Sequence, residues 1–216
     1  MTKIAYILLC HQDLDAVIEQ ALYLTRPDDY IAIHFDKGGS PLAYHQIRIA
    51  LTQTPNVVLC QKRIKFAWGA WSLVQATLNH LQSALTAFPD ATHFYLISGN
   101  CVSIKPIGFT HDFLSIQDVD YIDNCDYFES AWIKQGRRED RLIYRYYFNQ
   151  RNQTRRFEMA LALQKRFGLS RAIPSELEMQ IGSQWWCLRS RSIEKIQVFA
   201  QKMGYQTVFQ DDMDPQ

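Results

Sequence analysis

Ile4-Ala5-Tyr6-Ile7-Leu8-Leu9-Cys10-His11-Gln12-Asp13-Leu14 is the stretch on which the fold turns. The run from Ile4 to Cys10 is apolar, and His11, Gln12 and Asp13 end it. A short apolar run bounded by polar residues reads as a buried strand. Asp13 then stands where a helix begins, its carboxylate placed to accept from free backbone N–H groups. Leu14, Val17, Ile18, Ala21 and Leu22 follow at the 3.6-residue period. Tyr30–Phe35 reads as a second strand, Asp36-Lys37-Gly38-Gly39 as a turn, 41–52 as a helix and 56–60 as a third strand. A long helix starts near Trp71, with Trp71, Val74, Leu78, Leu81 and Leu85 spaced by threes and fours. Residues 93–97 and 119–122 read as strands, 182–188 as a loop entering a strand, and 192–202 as a helix. Short apolar strands alternating with amphipathic helices specify an α/β fold, a mostly parallel sheet flanked by helices. Ligands of such sheets bind beyond the carboxyl ends of the strands. Attention therefore falls on residues 11–13, 36–39, 66–71 and 98–105.

The 216 residues are 47% hydrophobic and 21% charged, which excludes disorder and leaves enough chain for one domain with a sizeable core. A net charge of +1 supplies no global field for nucleic acid or membrane. Five cysteines, an odd count without any CxxC pair, exclude a disulfide scaffold or zinc ribbon and fit reduced thiols in the cytoplasm. No apolar run is long enough to span a bilayer, and no signal peptide is read. Charge is nevertheless uneven. Residues 134–171 hold eleven Lys or Arg against Glu139, Asp140 and Glu158, a local excess of +8. Tyr144, Tyr146, Tyr147, Phe148 and Phe157 are interleaved. This segment reads either as a solvated helical face covering the sheet, or as a surface for a pyrophosphate, an acidic glycan or a membrane surface. Nucleic acid is not expected, because no binding module surrounds it.

The chain has no G-x-G-x-x-G after the first strand, no Walker A sequence, no HExxH and no G-x-S-x-G. Its six histidines lack metal-ligand spacing. Asp-x-Asp occurs at Asp13–Asp15, Asp118–Asp120 and Asp212–Asp214, at a helix start, before a strand and in the terminal tail. All three read as structural. Ser98-Gly99-Asn100 follows the strand at 93–97, where a metal-binding acid pair would be expected. No metal and no cofactor are expected.

Five segments in order carry a resemblance: Tyr6 to His11; Ile33-His34-Phe35-Asp36; Ala67-Trp68-Gly69-Ala70-Trp71-Ser72-Leu73-Val74; Phe94 to Asn100 with Ile104-Lys105; and Gly182-Ser183-Gln184-Trp185-Trp186. Together they resemble the core-2/I-branching β-1,6-N-acetylglucosaminyltransferase family, which includes peptide O-xylosyltransferases. Soluble bacterial members look closest. The resemblance implies a GT-A-like nucleotide-sugar transferase fold. It also implies a UDP-sugar donor, a carbohydrate or protein acceptor, inversion, and no metal requirement. By position, Leu9 and His11 match donor-site residues and Asp36 the aspartate that bonds the uracil ring. Trp68 matches an aromatic residue lining the nucleotide pocket. Glu129, Trp185 and Trp186 fall near the acceptor-sugar site. Trp185 and Trp186 point to opposite faces if they share a strand, so at most one faces a ligand.

The resemblance also implies a glutamate base downstream of the Gly-Ser-x-Trp region. The expected segment lies beyond residue 216, so the chain reads as a single transferase domain lacking the carboxyl-terminal part of the family domain. Asp212 is the nearest candidate base. The alternative reading is a non-catalytic nucleotide- or glycan-binding relative. A third is an interaction domain docking on anionic surfaces through residues 134–171.

Overall fold

The opening apolar run forms β1 (Ile4–Cys10), and its neighbours in the sheet follow from it. The structure is a computed structural model that describes residues 2–26, 28–67, 69–130, 140–173 and 177–202. After β1 come α1 (Leu14–Leu24), β2 (Tyr30–Phe35), α2 (Pro41–Leu51), β3 (Val57–Leu59), α3 (Trp71–Ala87) and β4 (His93–Ser98). Then follow α4 (Ile107–Ile116), β5 (Tyr121–Asp126), α5 (Asp140–Ile143), α6 (Thr154–Phe167), β6 (Gln180–Arg189) and α7 (Ser190–Lys202). The strand order is β3-β2-β1-β4-β6-β5. β1 pairs in parallel with both β2 and β4, and β2 with β3, while β6 runs antiparallel to β4. The described residues fall into two compact units, one drawn from Met1–Ile122 and Gln184–Gln206, the other from Asp123–Ser183.

In the first unit, β1 is buried on both faces, as its unbroken apolar character requires. Ile4, Tyr6, Leu8 and Cys10 pack with Val17, Ala21 and Leu24 of α1, Ile47 and Leu51 of α2, and Leu114 of α4. Ala5 and Ile7 turn the other way, onto Leu81 and Ala84 of α3 and Ile193 of α7. Fully burying Ile4, Ile7 and Leu8 stabilises the fold by about 1.5–3 kcal/mol for each side chain. Asp13 caps α1, accepting from the Ala16 N–H at 3.3 Å, and Ser40 caps α2, accepting from Ala43.

Four expectations need correction. Leu22 of α1 is exposed, because the buried line runs through Val17, Ala21 and Leu24. On α3 the buried residues are Ala76, His80, Leu81 and Ala84, and Val74 is exposed. Two alanines let that helix lie close to the sheet, with Leu81 packed beside them and Val74 turned to solvent. The fifth strand starts at Tyr121, not at residue 119, because Asp118 and Asp120 are engaged by Arg189. Residues 182–188 belong wholly to the long strand β6, Gly182 included. At Gly182 a Cβ would sit 3.1 Å from the Asp123 carbonyl oxygen, so glycine permits the close approach.

In the second unit α6 buries Phe157, Leu161 and Gln164. The Gln164 amide accepts from the Arg145 N–H and donates to the Arg145 carbonyl, both at 2.9 Å. Gly168, with φ +64°, closes the helix in the left-handed conformation that glycine adopts at least cost. Tyr127 and Leu142 form a small core with Ile143, Ile173, Met179 and Ile181.

Candidate functional site

The carboxyl ends of β1, β2 and β4 open at one rim of the first unit. There the Asp36 N–H donates to the Cys10 carbonyl at 2.8 Å, which locks the ends of β1 and β2 together. Asp36 Oδ1 accepts from two backbone N–H groups, Gly38 at 3.0 Å and Phe66 at 3.1 Å. The first closes the tight turn after β2, and the second fastens residues 61–67 to that turn. The Lys37 N–H donates to the Ile64 carbonyl at 3.2 Å and strengthens the same junction. Gly39 is needed for space. A Cβ there would lie 2.7 Å from Phe35 Cε1 and 3.0 Å from the His11 carbonyl oxygen.

His34 and His80 lie beneath this rim, and the sequence reading assigned them no role. Both are fully buried, with ring centroids 6.1 Å apart. His34 Nε2 accepts from the Ile64 N–H at 3.3 Å, so the ring proton resides on Nδ1. Burial lowers the pKa of His34, and it pushes His80 down to about 3, helped by the neighbouring His34. Both rings are therefore neutral at neutral pH. Strand alternation gave a usable signal, since a histidine between Ile33 and Phe35 must face the opposite side of a buried strand.

On the β4 side, the Gly99 N–H donates to the Leu9 carbonyl at 3.3 Å. A Cβ on Gly99 would meet Cys10 Cβ at 3.2 Å. Gln20 of α1 donates to the Ser98 carbonyl at 3.3 Å and to the Cys101 carbonyl at 2.8 Å, which fixes the loop after β4. All five cysteines are free thiols. Burial raises Cys10 and Cys187 to about 12, which leaves both protonated and unreactive.

The structure brings Leu9, His11 and Asp36 to this rim. His11 is exposed, Asp36 is half-buried, and the Leu9 side chain packs partly against the α3 side of the sheet. Trp185 and Trp186 diverge across β6. Trp186 packs into the cluster with Leu188 and Ile193. Trp185, 43% exposed, lines a cleft of about 560 Å³ together with Tyr6, Tyr95, Phe109, Phe113 and Tyr121. Gln20 and Lys105 add polar groups to that wall. Glu129 is exposed in the second unit, and its N–H donates to Asp126 Oδ1 at 3.1 Å. Trp68 and Asp212 lie outside the described residues.

The first two Asp-x-Asp pairs are occupied structurally or lie apart from the rim. Asp13 caps α1. Asp120 accepts from the Arg189 N–H at 2.9 Å, from Arg189 Nη2 at 2.9 Å and from the Ser192 hydroxyl at 2.7 Å. These donors, the Arg189 side chain first, hold its carboxyl far below the usual carboxylate range. Asp118 is bound by Arg189 and Arg191. Among the described residues no three His, Cys, Asp or Glu side chains converge as a metal site, and no helix is long and apolar enough to cross a membrane.

Residues 4–215 match the family model described as Core-2/I-Branching enzyme. No curated protein matches the chain. The six-stranded, mostly parallel sheet flanked by helices agrees with the GT-A-like fold expected of such an enzyme.

Proposed function

The chain belongs to the Core-2/I-Branching enzyme family, a family of glycosyltransferases, and from that premise we propose that it moves N-acetylglucosamine or xylose from a UDP-sugar to an acceptor hydroxyl, with inversion and without a metal ion. The observation that carries this reading is the state of Asp36. Its Oδ1 is taken by two backbone N–H groups at the strand-end rim, while Oδ2 accepts no hydrogen bond from any of the described residues. A fixed carboxylate with one oxygen to spare suits the single ring N–H of uracil.

In this reading His11 and the Leu9 end of β1 border the diphosphate side of the donor, and Trp68 covers the base. Trp185 offers an aromatic face to the apolar C–H side of a sugar, while Trp186 supports the strand from the opposite face. Glu129 takes an acceptor hydroxyl proton in a hydrogen bond. The reaction needs one base to remove the proton of the attacking hydroxyl. The new bond forms between that oxygen and the anomeric carbon as the bond to UDP breaks, and UDP leaves with the electron pair. Asp212 is the candidate base. Metal independence rests on Ser98-Gly99-Asn100, which stands at the end of β4 where an acid pair would hold a cation.

Calorimetric titration with UDP, repeated in EDTA, tests the proposal. Binding that is unchanged by EDTA is expected. No binding, or binding lost with the chelator, overturns it. Release of UDP from UDP-N-acetylglucosamine or UDP-xylose in the presence of a sugar acceptor separates a transferase from a non-catalytic nucleotide-binding relative.

A further inference from the structure

The outward face of α6 combines features that the transferase reading does not use. Its inner side is buried through Phe157, Leu161 and Gln164. Met159, Leu163 and Phe167, spaced four apart, form a row on the opposite side and are 62%, 49% and 68% exposed. At 100° per residue, Arg155, Arg156 and Arg166 fall within the same outward sector and are also exposed. The only acid in α6, Glu158, is half-buried at the flank of this sector. Lys165 lies off the sector, bound to Asp140 at 2.6 Å. Among the described residues, none of the three arginines forms an ion pair.

We infer that this face of α6 docks on an anionic lipid surface. Met159, Leu163 and Phe167 would enter the boundary between headgroups and acyl chains, and the three guanidinium groups would pair with lipid phosphates and carboxylates. Charge decides between possible occupants. A second copy seated on the same face across a two-fold axis would set three arginines against three, with only one half-buried, flanking acid per copy, Glu158, to offset them. A neutral apolar partner would leave the guanidinium groups unmatched. A bilayer rich in anionic lipid satisfies both halves of the surface.

The test is co-sedimentation of the full chain with vesicles of phosphatidylcholine alone or with about one-third phosphatidylserine. Binding is expected only with phosphatidylserine, and it weakens as salt rises. Replacing the arginines together (R155Q, R156Q, R166Q) should lower partitioning by roughly 100-fold, about fivefold for each. Replacing the apolar row (M159S, L163S, F167S) should also abolish binding, because arginines alone do not insert. Both sets change exposed side chains, and circular dichroism checks that each variant folds. The inference is overturned by equal binding to both vesicle types, by no binding at low salt, or by full binding of either variant. Binding to a soluble acidic peptide but not to vesicles also overturns it, as does a dimer that the apolar-row variant dissolves.

Discussion

Replacing Asp36 with asparagine separates its structural role from its proposed role in recognition. In the folded protein Oδ1 accepts from the N–H groups of Gly38 and Phe66, at 3.0 and 3.1 Å. An asparagine can keep both bonds through its own Oδ1, and those two donors fix its orientation, with Nδ2 placed where Oδ2 was. The two bonds lose their charge assistance, so stability should fall by about 1 kcal/mol. Nucleotide binding should respond more strongly. A ring N–H of uracil would now face an amide N–H, and a hydrogen bond to a charged group is worth about 1.5–3 kcal/mol. That corresponds to roughly a 10- to 150-fold rise in the Kd for UDP. Cytosine presents an acceptor at the same ring position, so D36N should also narrow or invert the preference for UDP over CDP. D36A removes Oδ1 as well and should lose binding together with a further fraction of stability. Calorimetry with both nucleotides and urea unfolding of all three proteins provide the measurements. If D36N binds UDP as tightly as the parent while D36A merely unfolds earlier, Asp36 is a turn residue and the recognition argument fails.

Gly39→Ala should destabilise the chain by about 1–3 kcal/mol in urea unfolding, because Phe35 and the His11 carbonyl leave no room for a methyl group. Gly108→Ala, in the first turn of α4 with open space around it, should be neutral or stabilising by up to about 1 kcal/mol. Acid unfolding should show two windows. The pKa of His80 is depressed in the fold, so the unfolded chain binds the extra proton first, and stability falls as pH drops from about 6.5 toward 3. His80→Leu should flatten that limb in thermal melts. The Asp120 carboxyl is also depressed, so its contribution is complete above the ordinary aspartate value of about 3.9 and is lost below it. Asp120→Asn should therefore lower Tm at pH 6, and the gap to the parent should narrow progressively as pH falls below about 3.9.

The strands and helices up to residue 60 were legible because their apolar runs are continuous and their ends are marked by Asp13, Asp36 and Ser40, each of which accepts backbone N–H bonds. α3 was legible as a helix but not in its orientation. Its contact face is made of Ala76, His80, Leu81 and Ala84, and of these a search for large apolar side chains finds only Leu81. β6 was obscured by Gly182, Ser183 and Gln184, which carry turn chemistry in isolation but lie within a strand here. α4 and α6 were not delimited. In α6, Arg155, Arg156, Lys165 and Arg166 dilute the apolar pattern, and the outward row of Met159, Leu163 and Phe167 competes with the buried one. Of the site, alternation anticipated the divergence of Trp185 and Trp186. The support that residues 61–67 give Asp36 and His34 was not legible, because it depends on the backbone N–H groups of Phe66 and Ile64, each thirty positions away in the chain.

That support bears on how the rim could act. A recognition group on a strand end is only as well placed as the loops around it. Here the segment 60–67 has no regular structure of its own, yet four bonds hold it. Ile64 donates to His34, Lys37 donates to Ile64, Phe66 donates to Asp36, and Cys60 donates to the Ile33 carbonyl at 2.8 Å. Each partner belongs to β2 or to the turn directly after it. The loop therefore inherits the rigidity of the parallel sheet, and Asp36 is held from both sides before any ligand arrives. Such preorganisation spares a bound nucleotide the entropy of ordering the loop. It also explains why a neutral histidine sits beneath the rim. His34 must present a bare Nε2 to the Ile64 N–H, and protonation would convert that acceptor into a second donor. Burial alongside His80, which lowers both pKa values, preserves the acceptor across the neutral range.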